Sequence, residues 1–150
     1  MFLSQLGLNV VCLDRQIEPL RSLGAQRYRL WLPAGKATKL TLCGGGALHK
    51  VCGDMLGECL PFATGAFGFV VNVHFTLPEI IGEFARVLKA GGYLLVETIG
   101  GQGGNCEQLP APGELRERLE ACFLVERYVE KQIPSRARTA VTVKLLARRR

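Results

Sequence analysis

The apolar side chains along the chain follow two different periods, and each period predicts one kind of element. Short apolar runs predict buried strands at residues 8–13, 69–73 and 93–96, and the first two of these runs are rich in β-branched residues. Residues 48–52 predict another short strand. Residues 78–88 instead place their apolar side chains on one face of a helix, and these are Ile80, Ile81, Phe84, Val87 and Leu88. Strands that alternate with helices predict parallel βαβ units.

The C-terminal part of the chain predicts a different ending for the sheet. Residues 112–121 predict a helix, and residues 123–129 and 139–147 predict two strands that are close enough in sequence to form an antiparallel pair. Weaker patterns predict a short helix at 16–23 and a strand at 28–32. The fold class expected from the whole pattern is therefore α/β: a three-layer sandwich with a mostly parallel sheet and an antiparallel C-terminal strand pair.

Length and composition fit one globular domain over residues 1–150. Hydrophobic residues make up 48% of the chain and charged residues 21%. Apolar runs stay well short of the ~18 residues of a membrane span, and the N-terminus has no basic region or cleavage site of a secretory signal. The six cysteines include no CxxC pair and there are only two histidines. We therefore predict a cytoplasmic protein with free thiols, without a metal site and without a membrane partner.

The formal net charge of +6 is concentrated near the C-terminus, in Arg136, Arg138, Lys144 and residues 148–150. Such a cluster has two explanations, a solvated tail or a surface that binds nucleic acid. Aromatic residues do not alternate with these cations, so stacking on bases is not indicated and the tail is favoured.

Polar side chains follow four of the predicted strands. In an open α/β sheet, ligands bind outside the carboxyl ends of the strands, so these side chains are candidates for one binding cleft. They are Asp14 after the first strand, Asp54 after the second, Asn72 and His74 at the end of the third, and Glu97 with Thr98 at the end of the fourth.

Each of these residues also has a structural explanation. Asp14 could cap the helix that follows, a role compatible with ligand binding at the same turn. Taken alone, Asp54 is better explained as a turn residue and His74 as a hydrogen-bonded core histidine. Glu97 taken alone is better explained as an acceptor for backbone N–H groups.

The order of these motifs resembles the Rossmann-like class I S-adenosylmethionine-dependent methyltransferases. The chain contains VVCLD, GDM, FGFVVNVHF and VLKAGGYLLVET in the order that this family has them. Its ending, with an ET strand, a glycine-rich stretch, PGEL and two closing strands, is similar to a bacterial-type branch of the family. The resemblance covers about residues 3–148 and is weakest between 25 and 47.

The resemblance implies that S-adenosyl-L-methionine is the cofactor. In this family an acidic residue at the end of the second strand binds the ribose, and an Asp-hydrophobic pair after the third contacts the adenine. Transfer would go to a small-molecule or protein acceptor, with Asn72 and His74 bordering the methyl group and His74 serving as a base for a hydroxyl or amine. The cofactor-binding residues that it implies are Asp14, Arg15, Asp54, Met55, Asn72 and Phe75.

The family also has a first strand and an E/D-x-G-x-G-x-G turn, which would precede Met1. Gly44-Gly45-Gly46 is no substitute because it does not join a strand to a helix. We therefore expect the first strand to be missing. Three explanations are open: the chain is a shortened form, its true start lies upstream, or the domain has lost strong cofactor binding. Two functions stay open: a methyltransferase, or a non-catalytic relative that acts through a partner. An oxidoreductase is disfavoured because no G-x-G-x-x-G turn follows a strand.

One spatial expectation follows for the third strand. Asn72 and His74 are two residues apart, so their side chains should point to the same side and be partly exposed in a cleft shared with Asp14 and Glu97. Val71 and Val73 should point to the other side, toward a covering layer of helices.

Overall fold

The computed structural model describes residues 7–14, 18–19, 46–52, 59–73, 80–98, 109–133 and 140–150. The chain divides into two compact units, Met1–Gly57 and Glu58–Arg150. The predicted single domain stays a prediction. The described elements are β1 (Val10–Asp14), β2 (Leu48–Cys52), β3 (Phe67–Val73), α1 (Ile81–Val87), β4 (Leu88–Glu97), α2 (Glu114–Glu120), β5 (Phe123–Ile133) and β6 (Ala140–Arg149).

The first unit contains a parallel pair of strands, β1 and β2, in register from Val10↔Leu48 to Asp14↔Cys52. The two strands therefore end at the same edge, as the sequence predicted. The predicted helix at 16–23 is described only at Glu18 and Pro19, which are helical, and the predicted strand at 28–32 lies outside the described residues.

The residues just before β1 and just before β2 approach each other closely. The Val10 N–H donates to the Ala47 carbonyl at 2.9 Å, and the Ala47 N–H donates to the Asn9 side-chain oxygen at 3.0 Å. A Cβ atom at Gly46 would lie 2.1 Å from the Leu8 carbonyl oxygen, so only glycine fits there.

The second unit contains a four-stranded sheet in the order β3–β4–β6–β5. β3 and β4 are parallel, whereas β6 is antiparallel to both β4 and β5. The predicted α/β class with an antiparallel C-terminal pair is thus confirmed.

The two faces of this sheet differ in burial. On one face, which we call the helix-covered face, alternate residues of β4 and β6 are buried, and both helices bury their apolar sides. The opposite face, which we call the exposed face, carries side chains that are half-buried or exposed. The helical stripe predicted over 78–88 is confirmed, because all five of its apolar residues are buried: Ile80, Ile81, Phe84, Val87 and Leu88.

The end of α1 differs from the prediction. The sequence predicted a helix over residues 78–88, but α1 ends at Val87 and Leu88 already belongs to β4. Gly91 has a φ of +72°, and a Cβ at Gly92 would lie 2.9 Å from the Lys89 carbonyl oxygen. The glycines therefore shape an irregular start of the strand rather than a helix cap.

Residues 148–149 do not form the predicted tail, because β6 continues to Arg149 between two other strands. Lys144 and Arg148 are nevertheless exposed, and Arg136 and Arg138 lie outside the described residues. The Arg149 guanidinium donates to the Leu88 carbonyl, and Arg150 Nε donates to the Phe123 carbonyl at 3.2 Å. The cations at the end of the chain are thus fixed on the sheet.

A glutamate–arginine pair on α1 holds the segment before β3. Arg86 donates to the carbonyls of Phe62 and Leu60 at 2.7 and 2.9 Å and to the Glu83 carboxylate at 2.7 Å. The same carboxylate accepts the Leu60 N–H at 2.6 Å. The hydrogen bond from Arg86 is the main reason that the pKa of Glu83 lies below its usual value.

We expect Arg86→Ala to loosen this segment without unfolding the sheet. Amide hydrogens of residues 59–65 should exchange about tenfold faster or more, because the variant lacks the donor for two carbonyls and leaves Glu83 without its cation. Hydrogen–deuterium exchange measures the change. The control is Arg118→Ala, which removes only an exposed ion pair with Glu114 at 3.3 Å. Equal exchange in both variants would contradict the role of Arg86.

Candidate functional site

The carboxyl ends of β3 and β4 form the edge at which the second unit can present polar groups. The parallel register pairs Asn72 with Val96 and Val73 with Glu97. Asn72 and Glu97, which are distant in sequence, therefore reach one edge, as predicted. This edge is the first part of the candidate site.

The two polar side chains do not point to the same face. Asn72 lies on the helix-covered face with Val96, and it is only 6% exposed. Glu97 lies on the exposed face with Val73, which is 42% exposed. The expected partial exposure of Asn72 is wrong, and so is the expected helix cover over Val71 and Val73. The alternation of side chains was predicted correctly, but the face that packs was not.

Thr98 is the second buried polar residue of this edge, at 4% exposure. Its N–H donates to the Val143 carbonyl at 2.9 Å, and its Oγ1 accepts the Val143 N–H at 2.6 Å. The threonine hydroxyl thus satisfies a backbone donor at the point where β4 ends. Thr98 is therefore a structural residue that fixes where the chain leaves the sheet.

Glu97 forms an ion pair with Lys144, its partner across β4 and β6. The sequence suggested backbone donors for Glu97 and gave no sign of Lys144. That contact depends on the register of β6, because Lys144 is 47 residues further along the chain than Glu97. Cross-strand pairs of opposite charge are favourable, so this one contributes to the sheet as well as to the charge at its edge.

The carboxyl edge of the first unit is formed by Asp14 and Cys52, the last residues of β1 and β2. Cys12 lies two residues before Asp14 on β1. The pKa of its thiol is raised, mainly by partial burial, so Cys12 is a poor candidate for a thiolate nucleophile. The other predicted site residues lie outside the described residues, and these are Arg15, Asp54, Met55, His74 and Phe75.

The PGEL turn is held by a residue that the sequence did not single out. Gly113 has a φ of +80°, and its N–H donates to Glu130 Oε1 at 2.8 Å. The Tyr128 hydroxyl donates to the same oxygen, and burial together with this hydrogen bond raises the pKa of Tyr128 well above its usual range. Glu130 on β5 therefore positions the start of α2. Its role could not be read from sequence because it requires the β5 register.

Groups of three or more potential metal ligands are not found within the described ranges. In the same ranges, the helices are too short and too polar to cross a membrane.

Comparisons with known proteins identify the fold. No protein-family model matches the chain. The biotin biosynthesis bifunctional protein BioHC of Cellvibrio japonicus is 35% identical over 88 residues, which are 55% of this chain. The chain spans only 15% of the length of that relative.

Solved structures of methyltransferases align with most of the chain. A SAM-dependent methyltransferase from Methanosarcina mazei gives a TM-score of 0.65 at 19% identity, covering 99% of this chain and 85% of that one. One from Aquifex aeolicus gives 0.57 at 17% identity, covering 95% and 69%. Geranyl diphosphate C-methyltransferase from Streptomyces coelicolor, in complex with S-adenosyl-L-homocysteine, gives 0.51 at 15% identity, covering 69% and 53%. The chain therefore has the Rossmann-like fold of class I S-adenosylmethionine-dependent methyltransferases, as its sequence predicted.

Proposed function

We propose that this chain is the methyltransferase domain, or part of it, of an S-adenosylmethionine-dependent enzyme that modifies a small molecule or a protein. The observation that carries the proposal is the position of Asp14 at the carboxyl end of β1, beside the end of β2, in a methyltransferase fold. Ligands of open α/β sheets bind at this edge. A cytoplasmic location is part of the same proposal.

The chemistry of the strand ends fits the proposed cofactor. A carboxylate at the end of a strand can accept hydrogen bonds from both hydroxyls of a ribose, which is the role proposed for Asp14. Asp54 and Met55, which follow β2, would flank the adenine. Arg15 and Phe75 are proposed to border the cofactor, since each adjoins a predicted site residue.

Asn72 is better suited to a positioning role than to direct contact. Its side chain is 6% exposed on the helix-covered face, so it can hold the exit of β3 but has little surface to offer a ligand. His74 follows two residues later and is proposed as the base that accepts a proton from a hydroxyl or amine acceptor. A His74→Ala enzyme with weaker cofactor binding and unchanged turnover would remove this assignment.

S-adenosylmethionine supplies a methyl group activated on a sulfonium centre. The protein's contribution would be alignment of the acceptor with that methyl group, for which proximity and orientation provide most of the rate. The residues proposed to do this all lie at or just after the carboxyl ends of strands. No metal is required by this scheme.

We expect the 150-residue chain to bind S-adenosylhomocysteine weakly, with a Kd above about 1 µM, which corresponds to ~8 kcal/mol. These residues contain the strand-end carboxylates, but no E/D-x-G-x-G-x-G turn to supply backbone N–H donors. Isothermal titration calorimetry, with ligand up to the millimolar range, measures this affinity.

The same titration separates the two functions. Weak binding that saturates supports the proposed methyltransferase. Complete absence of binding at millimolar ligand would refute a cofactor site in this chain and favour the non-catalytic alternative. Binding tighter than about 1 µM would show that the glycine-rich turn is dispensable and contradict the expected affinity.

A further inference from the structure

The chain that leads into β3 is held by α1 although it belongs to no helix or strand. We call residues 60–65 the entry segment. It begins at Leu60, which is buried at 6% exposure, and it turns at Gly65, whose φ is +66°. Because no helix or strand includes these residues, their backbone groups need other partners.

Arg86 makes three of the contacts to the entry segment. Its guanidinium donates to the Phe62 carbonyl at 2.7 Å and to the Leu60 carbonyl at 2.9 Å. Its own carbonyl accepts the Gly65 N–H at 2.9 Å. Glu83 adds a fourth contact, because its carboxylate accepts the Leu60 N–H at 2.6 Å and also binds Arg86. One turn of α1 therefore binds three residues of the segment.

The guanidinium of Arg86 fixes the direction of the segment as well as its position. Its N–H donors lie in one plane and point in fixed directions, so two carbonyls that bind them together are oriented together. The bonds are also charge-assisted, which makes them stronger than bonds between neutral groups. An arginine whose only role was an ion pair with Glu83 would leave these two carbonyls to other donors.

The entry segment follows closely after the two residues proposed to flank the adenine. Asp54 and Met55 come six and five residues before Leu60. At about 3.4 Å per residue, no more than about 20 Å of chain separates them from the attachment to α1. On their other side, the chain is held by the β1–β2 ladder, which ends at Cys52. The proposed adenine residues thus lie between two points at which the chain is held.

We propose that Arg86 is a positioning residue for cofactor binding, which acts by holding the chain that carries Asp54 and Met55. The inference rests on the proposed function, since it takes these two residues to flank the adenine. Arg86 itself does not touch the ligand in this scheme. Its contribution is preorganisation: a segment that is already held loses fewer conformations when a ligand binds.

The size of the effect follows from the length of chain that is left free. Without the Arg86 side chain, the next residue held by a strand is Phe67, so the stretch that begins at Cys52 becomes about twice as long. Doubling a flexible loop lowers the probability of one closed arrangement by about threefold. The residues that must then be ordered add to this loss. We therefore expect cofactor affinity to fall by about three- to tenfold.

The test measures the affinity of the full chain for S-adenosylhomocysteine by isothermal titration calorimetry. Arg86→Ala should weaken binding about three- to tenfold. Arg86→Lys keeps the charge but not the planar set of donors, so its affinity should lie between those of Arg86→Ala and the parent chain. The matched control is Arg118→Ala on α2, which removes an exposed arginine and should change the affinity by less than about 1.5-fold. Circular dichroism checks that each variant is folded.

A second ligand separates positioning from a general loss of structure. S-inosylhomocysteine carries hypoxanthine in place of adenine and is otherwise the same molecule. A site whose polar groups are placed for adenine should bind it more weakly, because those groups are left unmatched. If Arg86 acts through the residues at the adenine, Arg86→Ala should reduce the ratio of the two affinities by about threefold.

The possible failures are distinguishable. A folded Arg86→Ala chain that binds S-adenosylhomocysteine as tightly as the parent would refute the positioning role and leave the proposed function standing. An equal loss for both ligands would show that Arg86 supports the fold as a whole and not the residues at the adenine. No binding by the parent chain would remove the cofactor site itself, and this inference with it.

Discussion

Replacing Phe123 with alanine is expected to lower the free energy of unfolding of the second unit by about 3–5 kcal/mol. Phe123 begins β5 shortly after α2 and, among the residues that the structure describes, is the largest fully buried side chain, at 0% exposure. Its removal loses the transfer free energy of an aromatic ring and leaves a cavity, because interiors are close-packed and relax only in part. Urea unfolding followed by far-UV circular dichroism measures the difference.

The neighbouring residue provides the matched control. Leu124 lies on the same strand but is 47% exposed on the exposed face, so Leu124→Ala should cost less than about 1 kcal/mol. Similar losses in the two variants would mean that the helices do not pack on the face that we call helix-covered.

The elements that the sequence predicted best are those with a strong local pattern. The apolar stripe from Ile80 to Leu88 has the helical period, and its side chains are all buried. The predicted strands at 48–52 and 69–73 are both present, with β3 starting two residues earlier than predicted. The helical spacing of Leu115 and Leu119, four residues apart on α2, also agrees with their burial. Such patterns are local, so a single sequence contains them.

The contacts that the sequence could not predict depend on register between distant segments. Lys144 meets Glu97 and Glu130 holds Gly113 only because β6 and β5 align as they do. Arg86 lies outside the apolar stripe of α1, and its sequence position does not indicate that its guanidinium binds two backbone carbonyls. Local periodicity shows which residues share a face, and it does not show what they will meet.

Some features of the candidate site follow from local patterns in the sequence, and others depend on how distant segments pack. The meeting of strand ends at one edge follows from parallel pairing, and it was predicted for β1 with β2 and for β3 with β4. The direction of Asn72 was not predicted correctly, because alternation fixes only that it opposes Val71 and Val73. Which of the two faces is buried depends on where α1 and α2 pack. We expected the face of Asn72 to be open because a polar cleft was expected there, whereas the helices cover that face.

The strongest functional prediction concerns Asp14. We expect Asp14→Ala to weaken S-adenosylhomocysteine binding by roughly 10- to 100-fold, since a carboxylate bonded to two ribose hydroxyls contributes about 1.5–3 kcal/mol. The fold should lose about 1 kcal/mol at most, which is the typical cost of a lost helix N-cap. Calorimetric titration measures the affinity, and urea unfolding followed by far-UV circular dichroism measures the stability of the fold.

Two further variants make the test of Asp14 specific. Glu18→Ala removes an exposed carboxylate four residues later that does not end a strand, and it should leave the affinity within about twofold of the original. Asp14→Asn keeps an acceptor oxygen and loses the charge, so its affinity should lie between those of the parent chain and Asp14→Ala. If Asp14→Ala lowers the stability of the first unit while the affinity stays the same, Asp14 acts only as a helix cap. In that case the proposed ribose site at the end of β1 is wrong, whatever the rest of the fold does.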